Sequence, residues 1–259
     1  MSRMFALFRR NAPDASADEP PRVFSVGEGR RVYAIGDIHG RLDLLDDLID
    51  RIVADNFARG VLSDMHLVLL GDLVDRGPDS RGVIDRALQL RATLPGFACL
   101  CGNHEEVFGL ALLGDPGALN LFRRIGVETL MSYGLSDALV EDGSDAELME
   151  AMLSAVPEAH RDFLFDLPDH LVIGDYLFVH AGIRPGVPVT AQRSEDLRWI
   201  RKEFLTSAVP HSHMVVHGHS ITDEVDERAN RIGIDTGAYL SERLTAIGLE
   251  GEERWFLGT

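Results

Sequence analysis

Three short stretches end an apolar run on a glycine and then present oxygen and imidazole donors. Val32-Tyr33-Ala34-Ile35 runs into Gly36-Asp37-Ile38-His39-Gly40. His66-Leu67-Val68-Leu69-Leu70 runs into Gly71-Asp72, with Asp75-Arg76-Gly77 just beyond. Phe97-Ala98-Cys99-Leu100-Cys101 runs into Gly102-Asn103-His104-Glu105. Two later apolar runs close on histidine, at His180-Ala181-Gly182 and at His217-Gly218-His219. A single Asp or His after a strand is ordinarily a cap or turn residue. Three such ends in series point instead to a metal site at the carboxyl edge of a sheet.

The donor set is Asp37, His39, Asp72, Asn103, His180 and one or both of His217 and His219. Oxygen and nitrogen without thiolate suit Mn, Fe, Zn or Co. The set is too large for one open catalytic ion and fits two divalent ions bridged by a carboxylate. Two ions about 3.5–4 Å apart can share a water, lower its pKa and clamp both oxygens of an in-line displacement. Phosphoester hydrolysis is the reaction that most needs this. Arg76 fits the same chemistry, because its planar fork matches phosphate oxygens. His104, next to Asn103, is placed to protonate a leaving alkoxide, and Asp75 is the carboxylate to orient it. His66, His160, His170, His211 and His213 read as surface or hydrogen-bonded histidines.

The elements that must position these residues follow from periodicity. Strands are expected at 31–35, 66–70 and 97–101, and amphipathic helices at 41–58 and 80–92. This β-α-β-α-β order implies parallel strands with right-handed crossovers, and such sheets bind ligands beyond their carboxyl ends. Residues 105–170 change character and read as a helical insertion, with helices at 107–113, 118–124, 127–133 and 147–153. Strands return at 171–173, 176–179 and 214–216. The runs at 231–234, 244–249 and 255–257 read as short antiparallel strands. The class is α/β, with two sheets packed face to face. Residues 1–29 read as a flexible N-terminal tail and 30–259 as the folded domain.

The 259 residues carry a formal net charge of -17, which argues against nucleic acid as a partner. A phosphorylated substrate stays compatible, because metals and arginines reverse the local potential. Cys99 and Cys101 read as small buried apolar residues, and nothing suggests an oxidising compartment, so a cytoplasmic location is expected. Met4-Phe5-Ala6-Leu7-Phe8 before Arg9-Arg10 is too short for a signal peptide core. It is at most a weak surface anchor, and no run has transmembrane length.

The three donor motifs, in residue type, order and spacing, resemble the signature motifs of the phosphoprotein phosphatase family of metallophosphoesterases. The resemblance continues through His180-Ala181-Gly182 and His217-Gly218-His219 to Ile234-Asp235-Thr236-Gly237. The compact form is similar to the bacterial branch, which also contains the symmetrical diadenosine tetraphosphate hydrolases. The resemblance implies a four-layer α/β/β/α sandwich and a dinuclear centre, with Mn the expected metal. It would give Asp37, His39 and His219 to one metal, Asn103 and His180 to the other, and Asp72 to both. A metal-bridging hydroxide would attack phosphorus in line. His104, paired with Asp75, would be the general acid. Arg76 and Asn103 would meet the phosphate, with Arg201 of Trp199-Ile200-Arg201 as the second arginine and Arg184 as its competitor. Eukaryotic members carry arginine where this chain has His217, which is left as a supporting residue or an extra phosphate contact. The implied activity is a serine/threonine protein phosphatase that also accepts phosphotyrosine and small monoesters. The rivals are a diadenosine tetraphosphate hydrolase and a catalytically inactive binding module.

Overall fold

The computed structural model describes residues 22–60 and 64–259. Residues 1–21, with the Met4-to-Phe8 stretch and most of the expected tail, lie outside the described residues. The strands are β1 (Arg30–Ile35), β2 (Asp64–Leu69), β3 (Phe97–Cys99), β4 (His170–Ile173), β5 (Tyr176–Val179), β6 (Met214–His217), β7 (Asp226–Glu227), β8 (Arg231–Gly233), β9 (Thr245–Glu250) and β10 (Glu253–Gly258). Helices α1 (Leu42–Ala58) and α2 (Ser80–Thr93) join the first three strands. Between β3 and β4 come α3 (Asn103–Leu112), α4 (Pro116–Ile125), α5 (Val127–Ser132), α6 (Asp137–Asp142), α7 (Asp145–Ala155) and α8 (Glu158–Phe165). The short helices α9 (Ser194–Trp199), α10 (Lys202–Leu205) and α11 (Ala238–Ser241) complete the order.

Alternation along each strand decides which layer it faces. In β1, Tyr33 and Ile35 join an outer core with α1, α2 and the helices after β3. Val32 and Ala34 point the other way, into a second core. That second core is shared with Tyr176 and Phe178 of β5, Met214 and Val216 of β6, and Ile247 and Leu249 of β9. Leu177, Val179 and Val215 face outward to Leu197, Ile200 and Phe204 around α9 and α10. Two five-stranded sheets therefore pack face to face with helices outside them, as expected. Their orders are β10-β9-β1-β2-β3 and β4-β5-β6-β8-β7.

β1, β2 and β3 are parallel, with Ile35 opposite Leu69 and Leu69 opposite Cys99. All three therefore release their chains at one edge. β5, β6 and β8 are also mutually parallel.

Three details differ from the sequence reading. β8 runs parallel to β6 in the second sheet, whereas β9 and β10 are antiparallel in the first. Its short apolar run carries no sign of strand direction. The stretch after β3 holds six helices, not four, because Ser136 and Pro157 act as N-caps of α6 and α8. The expected tail to residue 29 is too long. Val26 is fully buried in the inter-sheet core, and the Ser25 N–H donates to Asp175 Oδ2 at 3.1 Å. Among the described residues, no helix is long and apolar enough to cross a membrane.

Candidate dinuclear metal site

The strand-end loops are stitched to one another. The amides of Ile38 and His39 both donate to Asp72 O, at 3.0 and 2.8 Å, and Gly40 N donates to Leu73 O at 2.8 Å. From the third loop, the Glu105 carboxylate accepts the amides of Asp72, Leu73 and Gly102 at 2.8–2.9 Å. These bonds hold an uncommon backbone. His39, Asp72, Asp75, Arg76 and His219 all have positive φ, between 48° and 71°. Such strain in non-glycine residues persists only where surrounding contacts enforce it, and it gathers at functional sites. Two glycines let the loops close. A Cβ on Gly218 would stand 2.0 Å from Asp37 Oδ1, and one on Gly102 would stand 2.2 Å from Asp72 Oδ1.

Asp37, His39, Asp72, Asn103, His104, His219, Arg76 and Arg201 line one cavity of about 280 Å³, together with Asp235, Ile221 and Tyr239. Asp72 sits between two donor groups. Its Oδ2 lies 3.5 Å from His39 Nε2, and its Oδ1 lies 3.4 Å from His180 Nε2. His180 Nε2 is in turn 3.0 Å from Asn103 Oδ1 and 3.2 Å from His219 Nδ1.

The backbone assigns the tautomers. His39 Nδ1 lies 2.8 Å from Val74 O and His180 Nδ1 lies 3.0 Å from Leu70 O. A carbonyl only accepts, so each Nδ1 carries the proton. Each Nε2 is then a lone pair aimed at other acceptors. Burial lowers His39 and His180 and pushes His219 down to about 3, so all three rings are neutral at pH 7. His219 Nε2 is buried without a hydrogen-bond partner among the described residues.

The acids are crowded too. Burial first, then Asp235 and Asp72, raise Asp37 well above the carboxylate range. Burial pushes Asp235 up to about 6, and burial with Asp72 pushes Glu105 up to about 7. Converging lone pairs and mutually repelling acids suit divalent ions. Donor atoms of Asp72, His180 and His219 lie within 4.8 Å of one another, as do those of His39, Asp72 and His104.

His104 differs from the other three rings. Its Nδ1 lies 2.5 Å from Asp75 Oδ2. Burial opposes its charge, but Asp72 and the Asp75 hydrogen bond outweigh that and push it up to about 9. A raised folded-state value means that the bound proton stabilises the fold. That stability is complete below the ordinary histidine value near 6.5 and is lost as pH rises through about 9. Thermal melts of the metal-free protein are expected to show this decline. His104→Asn should lack that component, and identical slopes in the two proteins would show that His104 is not its source.

Three placements correct the sequence reading. His219 joins His180, not Asp37 and His39: only its backbone N–H meets the Asp37 carboxylate, at 3.0–3.1 Å. The cause is strand order, since β6, which His219 follows, pairs with β5, which leads to His180. Arg184 lies away from the cavity and is half-exposed, its guanidinium held by both oxygens of Asp196. Arg201, between α9 and α10, lines the cavity instead. His217 takes the outward parity of β6, and its ring lies edge-on to Phe204 at 5.1 Å on the far side of the sheet. It is not among the residues that line the cavity. Sequence reasoning assigned no role to Asp235 and Tyr239. Tyr239 stands with its ring 5.2 Å from that of His39, at the mouth.

The calcineurin-like phosphoesterase family model matches residues 30–235. The zinc-dependent endopolyphosphatase of Saccharomyces cerevisiae is 30% identical over 163 residues, 59% of this chain and 47% of that protein. Serine/threonine-protein phosphatase 2 of Escherichia coli is 25% identical over 225 residues, 83% of this chain and 91% of that protein. The symmetrical bis(5'-nucleosyl)-tetraphosphatase of Dechloromonas aromatica is 33% identical over 168 residues, 64% and 48% of the two chains. The chain thus spans about half the length of the first and third of these relatives. A solved structure provisionally named a diadenosine tetraphosphatase superposes with a TM-score of 0.62 at 22% identity, over 89% of this chain and 94% of that one. A cold-active protein tyrosine phosphatase superposes with a TM-score of 0.54 at 18% identity, over 95% and 87%. Both bear on the fold alone.

Proposed function

Because the chain belongs to the calcineurin-like phosphoesterase family, we propose that it hydrolyses phosphomonoesters with two divalent ions, its substrates being phosphoserine and phosphothreonine in proteins. The observation that carries the two-ion reading is Asp72, with one carboxylate oxygen turned to each donor group. Asp37, His39 and Asp72 Oδ2 would hold one ion. Asn103, His180, His219 and Asp72 Oδ1 would hold the other. The bound ions supply an acidified nucleophilic water and positive charge for the phosphoryl oxygens. Mn is the first metal to test, before Fe, Zn and Co.

The chain's own groups do the rest. Arg76 and Arg201 face the cavity and bind the non-bridging phosphate oxygens. His104 is fixed by Asp75 through Nδ1 and presents its second proton on Nε2. As the P–O bond breaks, its electron pair goes to the leaving oxygen, and that oxygen takes the His104 proton. Arg201→Ala is expected to raise KM roughly 10- to 100-fold with kcat less affected, the loss of a charge-assisted contact worth about 1.5–3 kcal/mol. Arg184→Ala should change neither by more than about twofold, as expected for an exposed pair. Equal losses in both variants would return Arg184 to the phosphate.

Charge supports the substrate class. An open groove of about 650 Å³ adjoins the cavity through Arg76 and Tyr239, and its wall carries Asp43 paired with Arg41, Asp46 paired with Arg86, and Asp79 at the start of α2. The net charge of -17 favours one phosphate on a neutral or basic peptide over a tetraphosphate chain. The second reading, a dinucleoside tetraphosphate hydrolase, draws on the Dechloromonas aromatica relative. The two separate by kcat/KM on a phosphoserine peptide, an aryl phosphate and diadenosine tetraphosphate, after metal stripping and Mn²⁺ restoration. Preference for the peptide by about a hundredfold, roughly 2.7 kcal/mol of transition-state binding, is expected. The same preference for the dinucleotide would reverse the substrate assignment.

A further inference from the structure

Helix α5 reaches the catalytic dyad through the side chain of Thr129. Thr129, in α5, is fully buried, 54 residues beyond Asp75 in sequence. A threonine within a helix usually turns its hydroxyl back to the carbonyl four residues earlier. Thr129 does not. Its Oγ1 lies 2.6 Å from Asp75 Oδ1, 2.9 Å from the Asp75 amide and 2.9 Å from Ser80 Oγ. One hydroxyl proton cannot serve both oxygens. The carboxylate, charged and nearer, takes it, and Ser80 then donates to Thr129. The hydroxyl so makes one donated and two accepted bonds, its full capacity. The Asp75 amide is shared with Ser80 Oγ, at 3.0 Å. The other carboxylate oxygen, Oδ2, is the one at His104 Nδ1. α5 is itself tied to the start of α2, where the Arg81 amide donates to Ser132 Oγ at 3.1 Å.

We propose that Thr129 is a positioning residue for the leaving-group proton: it fixes the rotation of the Asp75 carboxylate, and through Asp75 the aim of the His104 ring. The helices that flank the site thereby set the orientation of the acid as well as the space around it. Asp75 has positive φ and is buried. Without Thr129 its Oδ1 keeps no side-chain partner among the described residues, and the carboxylate is free to turn away from His104. This rests on the reading of His104 as general acid, and the test keeps the two apart.

Thr129→Val keeps the shape and removes the hydroxyl, and Thr129→Ser keeps the hydroxyl. On a phosphoserine peptide, whose alkoxide leaves only with a proton, Thr129→Val is expected to lower kcat about 10- to 100-fold, the usual cost of losing an orienting partner. KM and metal content should hold. On p-nitrophenyl phosphate, whose phenolate leaves unaided, the loss should be under about threefold, and Thr129→Ser should restore the peptide rate. A second measurement needs no substrate. The short Asp75–His104 hydrogen bond should give a far-downfield proton resonance that moves upfield in Thr129→Val and returns in Thr129→Ser. Equal losses on the two substrates, no rescue by serine, or an unmoved resonance would overturn the assignment. If no phosphoester is turned over, the functional reading fails, and the resonance still decides the role of Thr129.

Discussion

Asp72→Asn is expected to take the bound metal from two ions per chain to one and to lower kcat/KM by at least roughly a thousandfold, the several kcal/mol that a second ion supplies to charge stabilisation. The loss should be one-sided. Asp72 Oδ1 accepts the His104 amide at 3.1 Å, so the asparagine will keep its carbonyl oxygen there. That oxygen still serves His180, Asn103 and His219. The amide nitrogen must then replace Oδ2, the atom facing His39 at 3.5 Å, and it offers protons where a cation has to sit. The ion near His39 should leave first. The charge lost is one the fold works to keep. Burial opposes it, but the charged His104 ring and the His104 backbone amide hold Asp72 below the usual carboxylate range. Elemental analysis and calorimetric titration of the variant check this directly. Two tightly held ions in Asp72→Asn would rule out Asp72 as the bridge.

How much of this could be read beforehand depended on whether a feature is local in the chain. The strands declare themselves by alternation, as in Val32-Tyr33-Ala34-Ile35, where each residue goes to the core its parity dictates. The glycine after each run and the donors that follow lie within a few residues, so their clustering was visible without knowing how the sheets pack. What was misplaced hinges on relations between distant elements. Whether His219 joins His39 or His180 depends on which strand β6 pairs with. Arg184 is held outside the cavity by Asp196, twelve residues away, a pairing that its own neighbours do not announce. His217 was readable in principle, because the parity of Met214-Val215-Val216 already turns it away from the inter-sheet face. Thr129 had no local signal at all. A threonine in a helical run says nothing about a loop 54 residues earlier.

Those distant relations also explain how a strained loop survives. Asp75 and Arg76 both have a φ of 71°, a conformation that costs of order 1–3 kcal/mol each in non-glycine residues. Loops from three strands, Glu105 and α5 converge on that segment, so it has no cheaper arrangement while they stay packed. On the proposed mechanism such rigidity matters, because a proton donor misaimed by about 1 Å can lose a hundredfold in rate.

His104→Asn should then lower kcat on a phosphoserine peptide by roughly 10²–10⁴-fold, the range for a positioned general acid, with two ions still bound. Metal retention is the discriminating half. His104 is near the donor groups, with Nε2 3.9 Å from Asp72 Oδ2, and on distance alone it competes for ligand status. Its other nitrogen argues against that. Asp75 is buried and bonded to Nδ1, and the ring is pushed up to about 9, whereas burial lowers His39, His180 and His219. A ring that keeps both protons at neutral pH repels a cation and donates to a leaving oxygen. The loss should shrink as the leaving group becomes more acidic, from alkyl to nitrophenyl esters, because a stable anion departs without help. A uniform loss across leaving groups, with an ion missing, would instead make His104 a ligand, and the proton would have to come from elsewhere in the site.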